Sequence, residues 1–512
     1  MSDTTPPAPQ QPVAPPAGGE EEAGPRIGVD EWVARSEERL VVPRGVPERL
    51  RQSIQHIPQW VLLVAFVAGV ALIPVATSDQ YVLRVTADTM LYVLLAAGLN
   101  VAVGWAGILD LGYIAFYGFA AYLFAELSSP HYGLHWPTWA TVPLVIVATI
   151  ILGFLLALPT RRLAGDYLAI VTLFFGVMFV TFVNQGYHWD WLGFGGAHDI
   201  TGGPTGLTQV DPFRIFGHEL TQVRDYIWVE IGGFLIVALA LGFANHSRTG
   251  RAWRALRDDT LAAEVMSMPV NRLMLLAVAV GAGVAGLAGA INGAYYQGVF
   301  PTSFGFATLI TVYAMVILGG AGSLPGVVTG AILINVLLEV LRDPNHARWV
   351  FYAAVLAGLL LKVRPWRLLA AVLGGLVAFG VAVHTIVGAV WPRGTAGPIS
   401  TGTFEFATHG WLAVALRHWL VLPKNTYEVA NYQIGNYAFV FLIGLVLALT
   451  VVRGWWRYVL LVPTIWLAAF VWETRLIEEA PTTRPLFLGV TLIVLMALRP
   501  AGLFGTPRVE VV

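Results

Sequence analysis

The sequence contains no cysteine, and only 12% of its 512 residues are charged. The missing cysteine excludes disulfide bonds, thiolate metal sites and cysteine nucleophiles. A soluble domain carries about twice this fraction of charge, so the scarcity of charge argues against a soluble protein. A net charge of −1 and the lack of a basic tail give no reason to expect a nucleic-acid partner.

Motifs that carry enzymatic chemistry are missing as well. The chain has no GxxxxGK(S/T) phosphate-binding loop, no HExxH and no GxSxG. His131 and His135 are four residues apart, but Gly133 and the predicted loop around them disfavour a metal site. We therefore predict that the protein is not an enzyme and holds neither a metal nor a cofactor.

Long apolar runs dominate what is present. Hydrophobic residues make up 57% of the chain, and many stand in blocks of about twenty, the length that crosses a hydrocarbon layer of ~30 Å as a helix. The blocks are continuous rather than alternating, which favours helices over a barrel. The predicted fold class is all-α, a polytopic transmembrane helical bundle. The predicted spans are 58–78, 81–104, 106–127, 137–159, 166–185, 226–245, 273–296, 303–320, 323–341, 348–362, 368–391, 433–452, 455–473 and 485–498.

Loop charges give these spans a direction. If the chain starts in the cytoplasm, alternation places the arginine-rich loops inside and most acidic loops outside, the asymmetry expected of a membrane protein. Both termini are therefore predicted to be cytoplasmic. The spans at 303–320 and 348–362 are the weak points of this count, and re-entrant segments are the alternative for them. Residues 1–57, rich in proline and glutamate, are predicted to be a disordered cytoplasmic tail.

The most informative loop comprises residues 247–272, which read SRTGRAWRALRDDTLAAEVMSMPVNR. Apolar residues from Trp253 to Met266 recur at helical spacing on one face, and the arginines take another. Asp259 or Thr260 is placed to cap a second short helix. A loop that merely fixes topology is the alternative, but the amphipathic pattern favours docking of another protein. A channel or carrier driven by a separate motor is predicted.

Two sets of glycines stand out. Small residues recur every four positions from Gly281 to Gly293, a spacing that lets two helices pack closely. Gly319, Gly320 and Gly322 instead break two spans at a shared point. Irregular backbone at membrane depth survives only when it is buried in protein or lines a cavity. A role in a gate or a pathway is predicted for this second set.

Polar residues are few within the spans. Arg84 and Asp88 are one helical turn apart and are able to pair. Asn100 is a mid-span amide suited to tying helices together, and Asp110 falls near a predicted cytoplasmic end. The outer loop at residues 200–207, ITGGPTGL, offers glycine amides that can bind a carboxylate or a binding protein, although a tight turn is the commoner explanation.

Several segments together resemble the LivM-type permeases, which are subunits of ABC importers for branched-chain amino acids. The resemblance covers about residues 80–365 in order, plus roughly the last twenty. Ser267, Ala120 and Val177 depart from the family pattern, and residues 366–484 have no recognised counterpart. The resembling segments are AAGLNVAVGWAGILDLGYIAFYGFAAY, LPTRRLAGDYLAIVTLFFG, ITGGPTGL, GRAWRALRDDTLAAEVMSM, NRLMLLAVAVGAGVAGLAGA, VILGGAGSLPGVVTGAIL and LRPAGLFG.

The resemblance implies a domain order and a set of partners. A permease core at 58–365 contains a coupling loop at 246–272, an extra transmembrane or accessory insertion follows at 366–484, and a last span with a cytoplasmic C-terminus at 485–512 closes the chain. The implied location is a bacterial or archaeal-type plasma (inner) membrane. The implied partners are cytoplasmic ATPase subunits, a second, LivH-like permease subunit and a periplasmic or lipid-anchored substrate-binding protein, besides the lipid bilayer.

The resemblance also assigns residues to roles. The residues expected to couple the chain to the ATPase are Arg251, Arg254, Arg257, Asp258, Glu264 and Met266. Those expected in the translocation path or its outer mouth are Asn100, Asp110, Thr201, Gly202, Gly203, Gly206, Gly319, Gly320 and Gly322.

Three other functions stay open at this point. Permeases of the same style also serve urea and short amides. An ion-coupled secondary carrier would need buried acids or histidines for coupling, and the acids noted within the spans are few and close to span ends. A membrane-embedded enzyme lacks a recognisable motif.

Overall fold

The computed structural model describes residues 59–129, 135–160, 166–185, 201–215, 217–342, 344–363, 365–395, 415–416, 418–422, 431–452, 454–478, 489 and 502–504. By packing, the chain divides into two units, residues 1–62 and 63–512. Only residues 59–62 of the first unit are described, and all other described residues belong to the second. The predicted tail at 1–57 lies outside the described residues, as does the predicted span at 485–498 apart from residue 489.

The described chain is built from helices. Every predicted span before 485 coincides with one of them. The largest difference is at α3, which begins seven residues later than the predicted start at 106, because residues 106–112 form an irregular turn. The helices are α1 Gln59–Ala76, α2 Gln80–Asn100 with a π-helical extension Val101–Trp105, α3 Tyr113–Leu127, α4 Thr138–Thr160, α5 Asp166–Asn184, α6 Val223–His246, α7 Arg248–Asp258, α8 Thr260–Val265, α9 Val270–Tyr296, α10 Phe306–Gly319, α11 Leu324–Val340, α12 Pro344–Lys362, α13 Trp366–Val390, α14 Asn431–Val451 and α15 Trp456–Glu478.

Short strands complete the described elements. They are β1 Leu207–Thr208, β2 Arg214–Ile215, β3 His218–Glu219 and β4 Gly298–Val299. The first pairs with the last and the second with the third, both antiparallel. In the first pair Leu207 stands opposite Val299, so the segment after α9 is tied to the loop before α6.

Length and composition mark the bundle as membrane-spanning. Among the described residues, 7 helices are long and apolar enough to cross a membrane. Two predicted spans, 348–362 and 303–320, had a re-entrant segment as the alternative. The first is α12, with 19 residues and about 28 Å of helix, and the second is α10, with only 14 residues and about 21 Å. The polytopic helical bundle predicted from the sequence is confirmed. Among the predicted spans described as helices, α10 is the shortest.

The core is organised around α2 and α9. In each of these two helices, 72% of the most apolar 18-residue stretch is buried inside the molecule, compared with 17% in α5. The stripe of small residues on α9 explains the close packing: a Cβ at Gly289 would overlap the carbonyl oxygen of Tyr117 and the side chain of Ala120. At Gly281 it would lie 3.1 Å from the carbonyl oxygen of Gly98. The packing role predicted for the stripe is confirmed.

The helix ends form two groups, called here the arginine-rich end, which contains α7, and the strand end, which contains β1–β4. At the arginine-rich end, α7 meets the end of α2 and the turn between α10 and α11, where Trp105 Nε1 donates to the carbonyl oxygen of Gly322 at 3.0 Å. At the strand end, the backbone N–H of Asp211 donates to the carbonyl oxygen of Ser128 at 2.7 Å, and an Arg224 N–H donates to that of Thr77 at 3.3 Å.

The helices α12–α15 carry apolar clusters of their own. A buried ion pair joins α12 to α15: Arg348 Nε donates to Glu473 Oε2 at 2.7 Å, and the two side chains are 4% and 0% exposed. The Tyr352 hydroxyl donates to the other oxygen of Glu473 at 3.3 Å, and Phe351 stacks on Trp472. These contacts hold α15 to α12.

Candidate functional site

The arginine-rich segment folds as two helices because each has its own cap. Ser247 Oγ accepts from the backbone N–H of Gly250 at 3.3 Å and starts α7. Asp259 Oδ1 accepts from the backbone N–H groups of Leu261 and Ala262 at 2.8 and 3.0 Å and starts α8. Of the two residues predicted as caps, Asp259 is the one that serves.

The end of α8 is closed by a left-handed turn. The N–H of Met268 donates to the carbonyl oxygen of Ala263 at 3.1 Å, and the N–H of Ser267 donates to that of Glu264 at 2.9 Å. This is the Schellman pattern, which needs a residue of positive φ after the helix, and Ser267 has a φ of 59°. The turn also directs Met266 outward.

The outer surface of α7 and α8 carries most of the residues assigned to coupling. Arg251, Arg254, Asp258 and Glu264 are exposed, and Met266 is 74% exposed. Met266 was predicted to continue the helix face of Trp253, but Trp253 is buried and Met266 is not, because the break at Asp259 changes the helical phase. Two further apolar side chains, which the sequence pattern did not single out, are equally exposed: Leu261 at 72% and Val265 at 83%. An apolar tip ringed by charge is typical of a protein-binding surface.

Arg257 differs from the other arginines because it turns into the bundle. Its guanidinium donates to the carbonyl oxygen of Gly104, and to that of Ala321 at 3.4 Å. Gly104 lies in the last turn of the π-helical extension of α2, where C=O groups lack intrahelical donors and favour a cation, and Ala321 lies in the turn after α10. The residue thus joins α7 to two other helices at the arginine-rich end.

Two tryptophans strengthen this link. Trp253 is 2% exposed, stacks on Trp105 with ring centroids 6.3 Å apart, and donates Nε1–H to the carbonyl oxygen of Leu273 at 2.8 Å. Gly322 accepts from Trp105, and its own N–H donates to Asn100 Oδ1 at 2.8 Å. We call this set the inner junction. It consists of Asn100, Gly104, Trp105, Trp253, Arg257, Ala321 and Gly322.

The break between α10 and α11 is buried at Gly319 and Gly320 and half-buried from Ala321 to Ser323. Gly320 has a φ of 106° and Gly322 a φ of 95°, values that favour glycine. A Cβ on Gly319 would overlap the backbone of Gly326, so the two helices touch directly. The N–H of Leu503 donates to the carbonyl oxygen of Leu318 at 2.9 Å, and that of Phe504 to Gly319 at 3.0 Å. Residues near the C-terminus thus supply donors for the end of α10.

Asp110 shapes the turn before α3. It is 2% exposed, and its Oδ1 accepts from the N–H of Gly112 at 3.0 Å. Its carbonyl oxygen accepts from the Tyr313 hydroxyl at 2.7 Å. The side chain also borders an apolar cavity of about 220 Å³ lined by Phe175 and Met274 among others. Its observed bonds are those of a turn residue.

The glycine-rich loop that was predicted to lie on the outer side forms a tight turn at the strand end. Thr201 is buried, and its hydroxyl donates to the carbonyl oxygen of Val183 at 2.7 Å. Gly202 and Gly206 both have positive φ, and a Cβ on either would overlap neighbouring backbone. The N–H of Gly206 is already used by the carbonyl oxygen of Gly203. The turn leads directly into β1.

The predicted site residues therefore fall into separate places. Asn100 and Gly322 meet Arg257 at the arginine-rich end, next to the buried Gly319 and Gly320. Asp110 lies in its own turn, and the residues from Thr201 to Gly206 lie at the strand end. No group of three or more acids or histidines able to hold a metal occurs among the described residues.

A buried acid escaped the sequence analysis. Glu230 on α6 is 0% exposed, and neither carboxylate oxygen has a hydrogen-bond partner among the described residues. It lies eight residues into a helix that starts at Val223, so the expectation that in-span acids stay near span ends fails here. A single acid inside an apolar span was the available signal.

The described helices define a multi-pass membrane protein with an exposed, capped helix pair packed against the turn between two of its spans. Comparison with known proteins makes this specific. Residues 81–344 match the family described as the permease component of branched-chain amino acid transport systems. The chain belongs to this family, and the resemblance noted in its sequence is confirmed. Its relatives are permease proteins, so the prediction of a protein that is not an enzyme is confirmed too.

Individual relatives support the assignment. The high-affinity branched-chain amino acid permease LivM of Salmonella typhimurium is 36% identical over 303 residues, which cover 54% of this chain and 67% of the relative. LivM of Escherichia coli matches to the same extent. The permease LivH of Escherichia coli is 31% identical over 121 residues, 24% of this chain and 38% of the relative. No solved structure matches the chain.

Proposed function

We propose that the chain is the permease subunit of an ATP-driven importer and provides the path for branched-chain or similarly hydrophobic amino acids. Membership of the permease family supports the transport role, and the names of the relatives suggest the substrate. The observation that carries the mechanism is the exposed tip of α8, joined through α7 to the inner junction. ATP hydrolysis belongs to a separate subunit that grips this tip.

The coupling follows from the contacts of α7. A force on α8 reaches α7 across the short cap at Asp259, and Trp253 transmits it to Trp105 by direct stacking. Arg257 connects α7 to the end of α2 and to the turn before α11. Displacing α7 therefore moves the break between α10 and α11 or breaks the hydrogen bonds that fix it.

The proposed orientation places the arginine-rich end in the cytoplasm. Arg248, Arg251, Arg254 and Arg272 support it, because positive loops stay inside. Both chain termini then lie on the cytoplasmic side. At the opposite face, the turn from Thr201 to Gly206 belongs to the outer mouth, where a substrate-binding protein delivers its ligand. A second permease subunit of the LivH kind completes the path.

Uptake by the reconstituted complex tests this function. Liposomes would contain the chain with its cognate second permease and ATPase subunits, with the binding protein outside and ATP inside. We expect uptake of labelled leucine that requires ATP and is not displaced by excess urea or acetamide. Uptake that ignores ATP and collapses with an uncoupler would replace the proposal with a secondary carrier, and displacement by urea would change the substrate.

A further inference from the structure

The strand end of the bundle carries charged residues that the inner junction does not use. An Arg84 N–H donates to Glu339 Oε1 at 3.4 Å, and an Arg342 N–H donates to the same oxygen at 3.2 Å. The Tyr296 hydroxyl donates to Asp88 Oδ1 at 2.7 Å. We call these five residues, from α2, α9, α11 and the turn after α11, the outer charged cluster.

The charges in this cluster are unevenly paired. Two guanidinium groups share one oxygen of Glu339, which leaves positive charge and N–H donors in excess. The hydrogen-bond donor that the described residues give Asp88 is a neutral phenol, so Arg84 compensates its negative charge by proximity alone, without a hydrogen bond. Arg84 and Asp88 do not form the pair that their spacing allows. They present opposite charges side by side on one face of α2, a helical turn apart.

The position of the cluster makes this imbalance informative. Asp88 lies eight residues into α2, about 12 Å along the helix from its start. Charges at such depth are costly against lipid and normally face protein or a water-filled path. The side chains of Arg84 and Arg342 are nevertheless 40% and 50% exposed on this chain. The cluster is therefore open toward a polar occupant.

We propose that the outer charged cluster binds the zwitterionic head group of an α-amino acid as it enters the translocation path. Arg84, with Arg342 beside it, takes the carboxylate through its paired N–H donors. Asp88 takes the ammonium group, and Tyr296 holds the carboxylate of Asp88 in place. The inference rests on the proposed function and assigns it a binding site that recognises the head group and leaves the apolar side chain free.

Two substitutions test the site in the reconstituted complex. Arg84→Gln and Asp88→Asn each remove one charge, and each is expected to raise the KM of leucine uptake about tenfold or more. Arg84→Lys should recover part of the loss. The matched controls Arg224→Gln and Asp225→Asn, at the start of α6 on the same end, should leave KM unchanged.

Labelling supplies an independent measurement, because the chain contains no cysteine. Tyr81→Cys places one thiol beside the cluster at a position that is 53% exposed, and Ile236→Cys places one on the apolar outer face of α6, 69% exposed. A charged thiol reagent should modify Tyr81→Cys alone, and leucine delivered by the binding protein should slow the reaction, whereas leucinol, which lacks the carboxylate, should not.

The outcomes separate this inference from the proposed function. A wild-type complex without ATP-driven leucine uptake refutes the function itself. If wild-type uptake is normal, unchanged KM values in both variants overturn the head-group site alone. Labelling of Tyr81→Cys that leucine does not slow overturns it as well. Loss of the second permease from the Arg84→Gln complex would show that the cluster is a subunit contact, which also overturns the site.

Discussion

Ser267 shows how a single residue sets the angle of the exposed helix. It occupies the left-handed position of the turn that closes α8, with a φ of 59°. Only glycine adopts this conformation without strain, and other residues pay about 1–2 kcal/mol. The serine therefore holds the turn under strain next to Glu264 and Met266, both of which are exposed.

Ser267→Gly should relieve this strain. Part of the gain is offset by the greater freedom of glycine in the unfolded chain, so the expected net stabilisation of the turn is about 0.5–1 kcal/mol. Slower hydrogen exchange at the Met268 amide, which donates to Ala263, would show it. Ser267→Ala keeps the Cβ and should bring no gain. Equal protection in both variants would contradict the strain.

The exposure of Val265 and Met266 illustrates a limit of sequence reasoning at this scale. A continuous helical period predicted that Met266 lies on the same helix face as Trp253. Asp259 instead adopts an extended conformation, with φ −155° and ψ 112°, and the next helix starts in a new phase. Ala263 stays buried while its neighbours turn outward. Asp259 was recognised as a cap, but a cap does not reveal the rotation that comes after it.

At the scale of elements, Arg257 connects three of them. Arg257→Gln removes the charge that the carbonyl groups of Gly104 and Ala321 share. Hydrogen bonds to a charged group contribute roughly 1.5–3 kcal/mol each, so we expect leucine uptake to fall about tenfold or more. The complex should still assemble and hydrolyse ATP. Arg272→Gln, an exposed arginine at the start of α9 that is not assigned to coupling, is the matched control. Equal uptake in both variants would refute the link.

Charge reversal tests the docking surface itself. Glu264→Lys on α8 should leave the protein inserted in the membrane yet abolish ATP-driven uptake. The lysine would face the part of the ATPase surface that is proposed to bind the carboxylate of Glu264. Gln222→Lys introduces the same charge at an exposed position of the strand end and should be neutral. Co-purification of the ATPase with each variant, followed by uptake, checks the expectation. Normal uptake by Glu264→Lys would remove this residue from the coupling role.

Apolar runs located the helices but not the irregular backbone between them. The predicted span starting at 106 instead begins with a turn, since Gly107 has a φ of 71° and Asp110 bonds the N–H of Gly112. The turn is short and its neighbours in the sequence are apolar, so a hydropathy pattern does not reveal it. The π-helical turn that places Trp105 against Trp253 is equally invisible in composition.

At the scale of the whole molecule, the family match ends at residue 344 and α12–α15 follow. The packing of these helices against one another rests partly on the ion pair between Arg348 on α12 and Glu473 on α15. Arg348→Met leaves Glu473 buried without its ion-pair partner and should destabilise by about 3–5 kcal/mol, whereas adding Glu473→Met should restore most of it. Resistance of purified protein to proteolysis within α13–α15 measures the effect. A double variant as labile as the single one would contradict the account.

Contacts between residues that are far apart in the chain could not be predicted from the sequence. Asn100 and Gly322 were each assigned to the path on separate grounds, and they are 222 residues apart and hydrogen-bonded. The family resemblance supplied the roles, but the meeting of these residues with Arg257 required the folded bundle. Glu230 was overlooked although a single acid inside an apolar span was a visible signal, and only the fold shows that it is fully buried.

The central claim is that an ATPase subunit binds α8 and thereby moves the inner junction. Cross-linking tests this claim most directly. Val265→Cys, 83% exposed in a chain without native cysteine, would carry a thiol-linked photo-crosslinker in the assembled complex. We predict an adduct with the ATPase subunit whose yield changes between the ATP-bound and nucleotide-free states, and none from Gln222→Cys at the strand end. Absence of that adduct from Val265→Cys, or equal adducts from both positions, would contradict the claim.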